Sequence, residues 1–306
     1  MCCLFGLYDY GGTLSAKQKN RMIAALAAAS EVRGIDATGI AYCMNGHLSV
    51  YKRPLPAHWM RFRIPEQAAA VMGHTRMTTQ GSEYRNYNNH PFSGKAGQPF
   101  ALAHNGVLTN DGLLRRQEKL PVSKIETDSF VIVQLLEQAG SIGFQTLRAA
   151  SERLAGSFTY TVLDGGGRLY IVRGNNPFCL YHWPGRGLYI YASTQAVLDA
   201  AVFKIRKLLS GSMQMVKCME ELFLCTFFSY NKLNIVDQKN VIIAIFLAEC
   251  GHCQFISVLT YFKSIDQFIR KSFTCDIQYF FGGIMFQNVM CHGVHQMGLS
   301  KSNTSI

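Results

Sequence analysis

The chain has 306 residues, a hydrophobic fraction of 48% and a formal net charge of +11, which suits one large or two ordinary globular domains with a sizeable core. No apolar run is long enough to span a bilayer. The start lacks the basic stretch and long apolar segment of a secretory signal, so the ten cysteines read as reduced thiols in a cytoplasmic protein. The basic residues are scattered, with no compact Lys/Arg run interleaved with aromatics, which argues against a nucleic-acid partner. An acidic or phosphorylated small molecule fits the charge as well.

Cys2 to Tyr8 reads as a buried strand, turned by Tyr10-Gly11-Gly12. Ser15 and Gln18 make a capping box ahead of an Ala-rich amphipathic helix ending near Ser30. Arg33-Gly34-Ile35-Asp36-Ala37-Thr38-Gly39 follows as a polar loop. Ile40–Met44 and Leu48–Lys52 then form a hairpin through Asn45-Gly46, a strong two-residue turn signal. A short helix around Pro65–Ala70 leads to a strand, Val71–Arg76, that ends in the polar loop Met77-Thr78-Thr79-Gln80-Gly81. Ser82 to Pro99 reads as one long irregular loop, the kind often used for binding. A strand at Phe100–His104 ends in Asn105-Gly106. Helices follow at 126–138 and 143–154, the first capped by Glu126-Thr127-Asp128-Ser129. Strands then come at 157–163, 168–172, 179–182 and 188–192, with a last helix at 194–203. Strands, helices and strands again point to two antiparallel sheets packed face to face with helices outside.

The chemistry gathers at the N-terminus. If Met1 is removed, Cys2 carries a nucleophilic thiol and a free α-amine, whose ordinary pKa of about 7.7–8.0 lets it accept the thiol's proton near neutrality. Taken alone, Cys2 reads more readily as a small apolar residue on a buried strand. Singly, Arg76 also reads as a surface charge, Asp128 as a helix cap and Asn105-Gly106 as a tight turn.

In combination these pieces resemble a known family. The N-terminal Cys, Arg33-Gly34-Ile35-Asp36-Ala37-Thr38-Gly39, Gly73-His74-Thr75-Arg76, Ala103-His104-Asn105-Gly106 and Glu126-Thr127-Asp128 follow the order and spacing of the class II glutamine amidotransferase domain. The resemblance covers residues 2–203. It implies an α+β, N-terminal-nucleophile (Ntn) hydrolase fold, a four-layer αββα sandwich of two antiparallel sheets, and a glutamine-hydrolysing activity without a cofactor. It also implies the site. Cys2 is the nucleophile, and the Asn105 side chain and Gly106 backbone N–H form the oxyanion hole. Arg76 holds the substrate's α-carboxylate and Asp128 its α-ammonium. Thr79 and Gln80 line the glutamine pocket, and Arg33 orders the terminus. L-Glutamine is the expected substrate, with ammonia passing to an acceptor or synthase protein encoded elsewhere, and no membrane or nucleic acid involved. Three positions depart from the family pattern: Cys3 replaces a usual Gly, Met77 a frequent aromatic and Gln80 a frequent His. A hydrolase of another amide and a catalytically idle glutamine-binding module stay open as alternatives.

Residues 204–306 read differently. No proline follows Pro184, and turn signals fade into text rich in Phe, Ile, Met and Cys. The domain boundary falls near 204–212, and the tail is either a small accessory domain or a shifted, misassigned reading frame. Cys250, His252, Cys253, Cys291, His292 and His295 fit zinc spacing only loosely, and no metal is assigned.

Overall fold

A computed structural model describes residues 2–206 and the backbone of five later strands. All lie in the first of two units, Met1–Val258, and the second, Leu259–Ile306, is outside the described residues. In chain order the elements are β1 (Cys3–Asp9), α1 (Ala16–Ser30), β2 (Ala37–Met44), β3 (His47–Arg53), β4 (Ala70–Arg76), β5 (Phe92–Ala96), β6 (Gln98–Leu108) and α2 (Asp111–Gln117). They continue with α3 (Phe130–Ala139), α4 (Phe144–Ser151), β7 (Gly156–Asp164), β8 (Leu169–Arg173), β9 (Cys179–Trp183), β10 (Leu188–Ala192) and α5 (Gln195–Ile205). The later strands are β11 (Gln214–Val216), β12 (Leu224–Phe228), β13 (Lys232–Val236), β14 (Ile243–Glu249) and β15 (His252–Ser257).

Alternation along the strands sorts the side chains into three core layers. From β1, Cys3, Phe5 and Leu7 pack against Met22, Ile23 and Leu26 of α1 and Val197 and Leu198 of α5. Leu4 and Tyr8 point the other way, into a core shared with Ala101 and Ala103 of β6, Ile171 of β8 and Tyr191 of β10. The opposite face of β6, through Phe100 and Leu102, meets Val131, Ile132 and Leu136 of α3 and Leu147 of α4. Helices, sheet, sheet and helices therefore stack as the expected αββα sandwich. Because β1 is buried on both faces, Phe5→Ala would cost about 3–5 kcal/mol.

The first sheet runs β11-β9-β10-β1-β4-β2-β3 and the second β15-β14-β13-β12-β8-β7-β6-β5, with every pairing antiparallel. β11 joins β9 and β12 joins β8 through backbone pairing. The rest of the segment after position 206 lies outside the described residues, as do the side chains of the loose Cys/His set at 250–295.

The capping box forms as expected: Ser15 N donates to Gln18 Oε1 at 2.9 Å and Gln18 N to Ser15 Oγ at 3.4 Å. Other local expectations are corrected. No helix forms around Pro65–Ala70, because side chains of α1 take that segment's polar groups. Asn20 Nδ2 donates to Ile64 O at 2.8 Å, and Lys19 Nζ to Ala68 O at 2.9 Å. The supposed loop from 82 to 99 contains β5, which buries Phe92 and Ala96 and turns into β6 through Gly97, at φ 69°. Asn105-Gly106 is not a turn; β6 continues through it, with Asn105 opposite Thr159 and Gly106 opposite Phe158. α3 starts at Phe130, and Ser129 makes no side-chain cap to it. Cys2, Cys3 and Cys43 are free thiols, and the cysteines after position 206 lie outside the described side chains.

Candidate active site

Two strand ends meet where β1 begins and β4 ends, with β6 of the second sheet facing them. β1 pairs with β4 so that Cys3 faces Thr75, which sets Cys2 beside Arg76 and Met77. The Cys2 thiol lies 3.6 Å from the Met77 carbonyl, which accepts from it. Cys3 sits in the helix-side core; by alternation Cys2 takes the side of Leu4, between the sheets. The turn after α1 fastens this end. Arg33 Nε donates to the Cys2 carbonyl at 2.9 Å. Asp36 N donates to Arg76 O at 3.0 Å, and Thr78 N to Asp36 Oδ2 at 2.6 Å. The approach is close enough that a Cβ on Gly34 would lie 2.4 Å from the Arg76 carbonyl carbon.

Arg76 is buried at the end of β4. Its guanidinium donates to Asn89 Oδ1 at 2.7 Å and to the carbonyls of Gln80 and Gly81 at 2.6 and 3.0 Å. Three of its five N–H donors thus shape the loop after β4. Thr79 and Gln80 are exposed on that loop.

Asn105 is buried on the face of β6 that carries Ala101 and Ala103, toward the first sheet. Its Nδ2 donates to Ser193 Oγ at 3.4 Å, and the same oxygen accepts from Leu4 N at 2.8 Å. One hydroxyl thereby joins β1 to Asn105 across the two sheets. Asn176 Nδ2 holds the Asn105 carbonyl at 2.7 Å. Gly106 has φ 148°, and a Cβ there would lie 2.0 Å from Ser157 O, so only glycine fits. Asp128 is buried before α3; its Oδ2 accepts from Leu108 N at 2.6 Å and its Oδ1 from Ser129 N at 2.8 Å.

Burial holds the Cys2 thiol above its ordinary pKa; the Arg76 charge opposes this and the Asp128 charge adds to it. The nucleophile candidate therefore lies in the fields of a cation and an anion at once. Among the described residues, no group of three or more His, Cys, Asp or Glu side chains is arranged to hold a metal, and no helix is long and apolar enough to cross a membrane.

The structure thus brings Cys2, Arg33, Arg76, Asn105, Gly106 and Asp128 to one region, with Thr79 and Gln80 on the adjoining loop. Sequence reasoning missed Ser193, Asn89 and the Met77 carbonyl. Asp36 stood inside a quoted motif without a role. Nothing in the sequence marks Ser193, since its importance comes from strand register.

In fold and in the order of its motifs, the described chain is similar to glutamine amidotransferase domains of the class II, N-terminal-nucleophile type. No family model matches it. It is 34% identical over 155 residues to the glutamine–fructose-6-phosphate aminotransferase (isomerizing) of Bacillus thuringiensis, covering 48% of this chain and 26% of that protein. The enzyme of the same name from Geobacillus kaustophilus is 31% identical over 192 residues, covering 61% of this chain and 32% of that one. The chain thus spans about a quarter to a third of the length of these relatives. Among solved structures, glutamine phosphoribosylpyrophosphate amidotransferase from B. subtilis, complexed with ADP and GMP, superposes with a TM-score of 0.60 at 16% identity, covering 79% of this chain and 50% of that chain. A structure described as the allosteric regulatory enzyme of purine biosynthesis gives a TM-score of 0.58 at 16% identity, covering 74% and 46%. These likenesses bear on the fold.

Proposed function

We propose that this chain hydrolyses L-glutamine, with Cys2 as nucleophile once Met1 is removed, and delivers ammonia to an acceptor handled by another domain or protein. The observation that carries the reading is that β1–β4 pairing sets Cys2 beside the buried Arg76, with the buried Asp128 close enough for its charge to act on the thiol. An amino-acid head group needs one cation for its carboxylate and one anion for its ammonium, set around a nucleophile.

The steps follow from the residues. Burial keeps the thiol protonated at neutral pH, so attack needs a base, and the freed Cys2 α-amine supplies it. Sulfur bonds to the side-chain amide carbon while the proton moves to the amine. The oxyanion accepts from Asn105 Nδ2 and Gly106 N–H; losing one such donor costs about 10²–10³-fold in rate. The C–N bond breaks as the amine returns the proton, and ammonia leaves a γ-glutamyl thioester. Water then hydrolyses the thioester to glutamate and the free thiol. The Arg76 charge receives the α-carboxylate, Asp128 the α-ammonium, Thr79 and Gln80 line the pocket, and Arg33 steadies the terminus. A reducing, cytoplasmic setting suits a catalytic thiol. The catalytic domain in this reading is residues 2–203, with 204–306 a separate segment.

The test is the intact mass of the purified chain before and after a diazoketone analogue of glutamine, with Cys2→Ala as control. Loss of Met1 and a single adduct, absent in the variant, supports the reading. Retained Met1, or no adduct, favours an idle glutamine-binding module.

A further inference from the structure

β6 presents its alternate residues to opposite sides. Asn105 faces the first sheet, while the side chain of His104 reaches the start of α3. There His104 Nδ1 lies 2.7 Å from Ser129 Oγ, and Ser129 Oγ donates to Asp128 Oδ1 at 3.2 Å. His104, Ser129 and Asp128 are 1%, 3% and 5% exposed, so water does not compete for these bonds. One arrangement of the protons links all three groups. An ionised carboxylate only accepts and a serine hydroxyl has one proton. With that proton donated to Asp128 Oδ1, the hydroxyl oxygen accepts from His104. Burial lowers the pKa of His104, opposed by the Asp128 charge and the Ser157 backbone, and in the tautomer with its N–H at Nδ1 the neutral ring donates to Ser129 Oγ. The strand itself is pinned at this point, because His74 Nε2 donates to the His104 carbonyl at 3.0 Å.

We propose that His104 and Ser129 form a positioning relay that aims the Asp128 carboxylate at the substrate's α-ammonium, and so set selectivity for an α-amino acid amide rather than the rate of the chemical step. The proposal rests on the glutamine reading above. Without the relay, Asp128 keeps its bonds from the backbone N–H groups of Leu108 and Ser129 but loses the hydroxyl that fixes the remaining freedom of Oδ1. One strand would then serve both ends of the substrate, Asn105 at the reacting amide and His104 at the amine.

The experiment uses the full, processed chain with two substrates: L-glutamine and 4-carbamoylbutanoate, which is glutamine without its α-amino group. Ser129→Ala and His104→Leu are expected to raise KM for glutamine about tenfold with little change in kcat, and to leave KM for the deaminated substrate unchanged. His104→Asn, whose side-chain N–H reaches close to the Nδ1 position, is expected to stay near the parent. The relay is overturned if both substrates suffer equally, if only kcat falls, or if His104→Asn behaves as His104→Leu. Should His104→Leu fail to fold, Ser129→Ala and His104→Asn still decide the matter. A parent chain that hydrolyses neither substrate, or does not distinguish them, overturns the glutamine reading itself, a result separable from loss of the relay.

Discussion

Arg33 Nε donates to the Cys2 carbonyl at 2.9 Å, so the turn after α1 grips the residue that carries the thiol. The bond sets the direction in which Cys2 leaves β1. Arg33→Ala is expected to slow diazoketone labelling of Cys2 about tenfold or more, the worth of a hydrogen bond from a charged donor. Global stability should barely change, because Arg33 is only half-buried. Labelling at the parent rate would remove Arg33 from the site.

Gly106 stands where a side chain has no room, with its would-be Cβ 2.0 Å from Ser157 O. Gly106→Ala must push β6 from β7 and shift the backbone N–H assigned to the oxyanion. A loss of about 10²–10³-fold in kcat is expected, with a lowered melting temperature. Full glutaminase activity in a folded Gly106→Ala variant would contradict the oxyanion assignment.

Lys19 and Asp9 form an ion pair at 3.1 Å with side chains 1% and 0% exposed, far from the thiol chemistry. Asp9 also accepts from Thr13 N and Leu14 N at 3.0 and 3.1 Å. Lys19→Met strands a buried carboxylate and is expected to cost about 3–5 kcal/mol in urea unfolding. Adding Asp9→Asn should recover part of that loss; a cost below about 1 kcal/mol for the single change would contradict the pairing.

Three buried histidines make the fold acid-sensitive. Burial lowers His74 to about 3 and His90 well below its ordinary value, and burial lowers His104 as well. Neighbouring Arg76 and Lys52 push His74 and His90 the same way. The His90 ring sits 4.2 Å from His74 and 4.3 Å from Phe92 between ring centres, with neither nitrogen hydrogen-bonded. Below the unfolded pKa of about 6.5 the unfolded chain binds protons that the folded chain refuses. Stability is therefore full above that pH and falls as pH drops, by up to about 1.4 kcal/mol per pH unit for each such histidine. Denaturant unfolding between pH 6.5 and 4.5 should show this slope, reduced by about one proton in His90→Phe. An unchanged slope in the variant would mean that His90 does not stay neutral.

Much of the architecture was legible before folding, for local reasons. The capping box at Ser15 and Gln18, the Asn45-Gly46 hairpin and the inward alternation of Cys3, Phe5 and Leu7 each depend on neighbours a few residues apart. Position 2 for a cysteine and the order of the motifs around Arg76, Asn105 and Asp128 pointed to the chemistry for the same reason. What failed was long-range. Asn105-Gly106 has the composition of a turn, yet pairing with β7 holds it extended. The 65–70 segment suits a helix, yet side chains of α1 occupy its carbonyls.

The sequence by itself determined the layering of the sandwich and the identity of the nucleophile candidate, because hydrophobic period and motif spacing are properties of short stretches. Only the tertiary structure decided that Ser193 ties β1 to Asn105 and that His104 reaches Asp128 through Ser129. Such contacts join residues 25 and 88 positions apart. They exist only once strand register has chosen which side chains share a face.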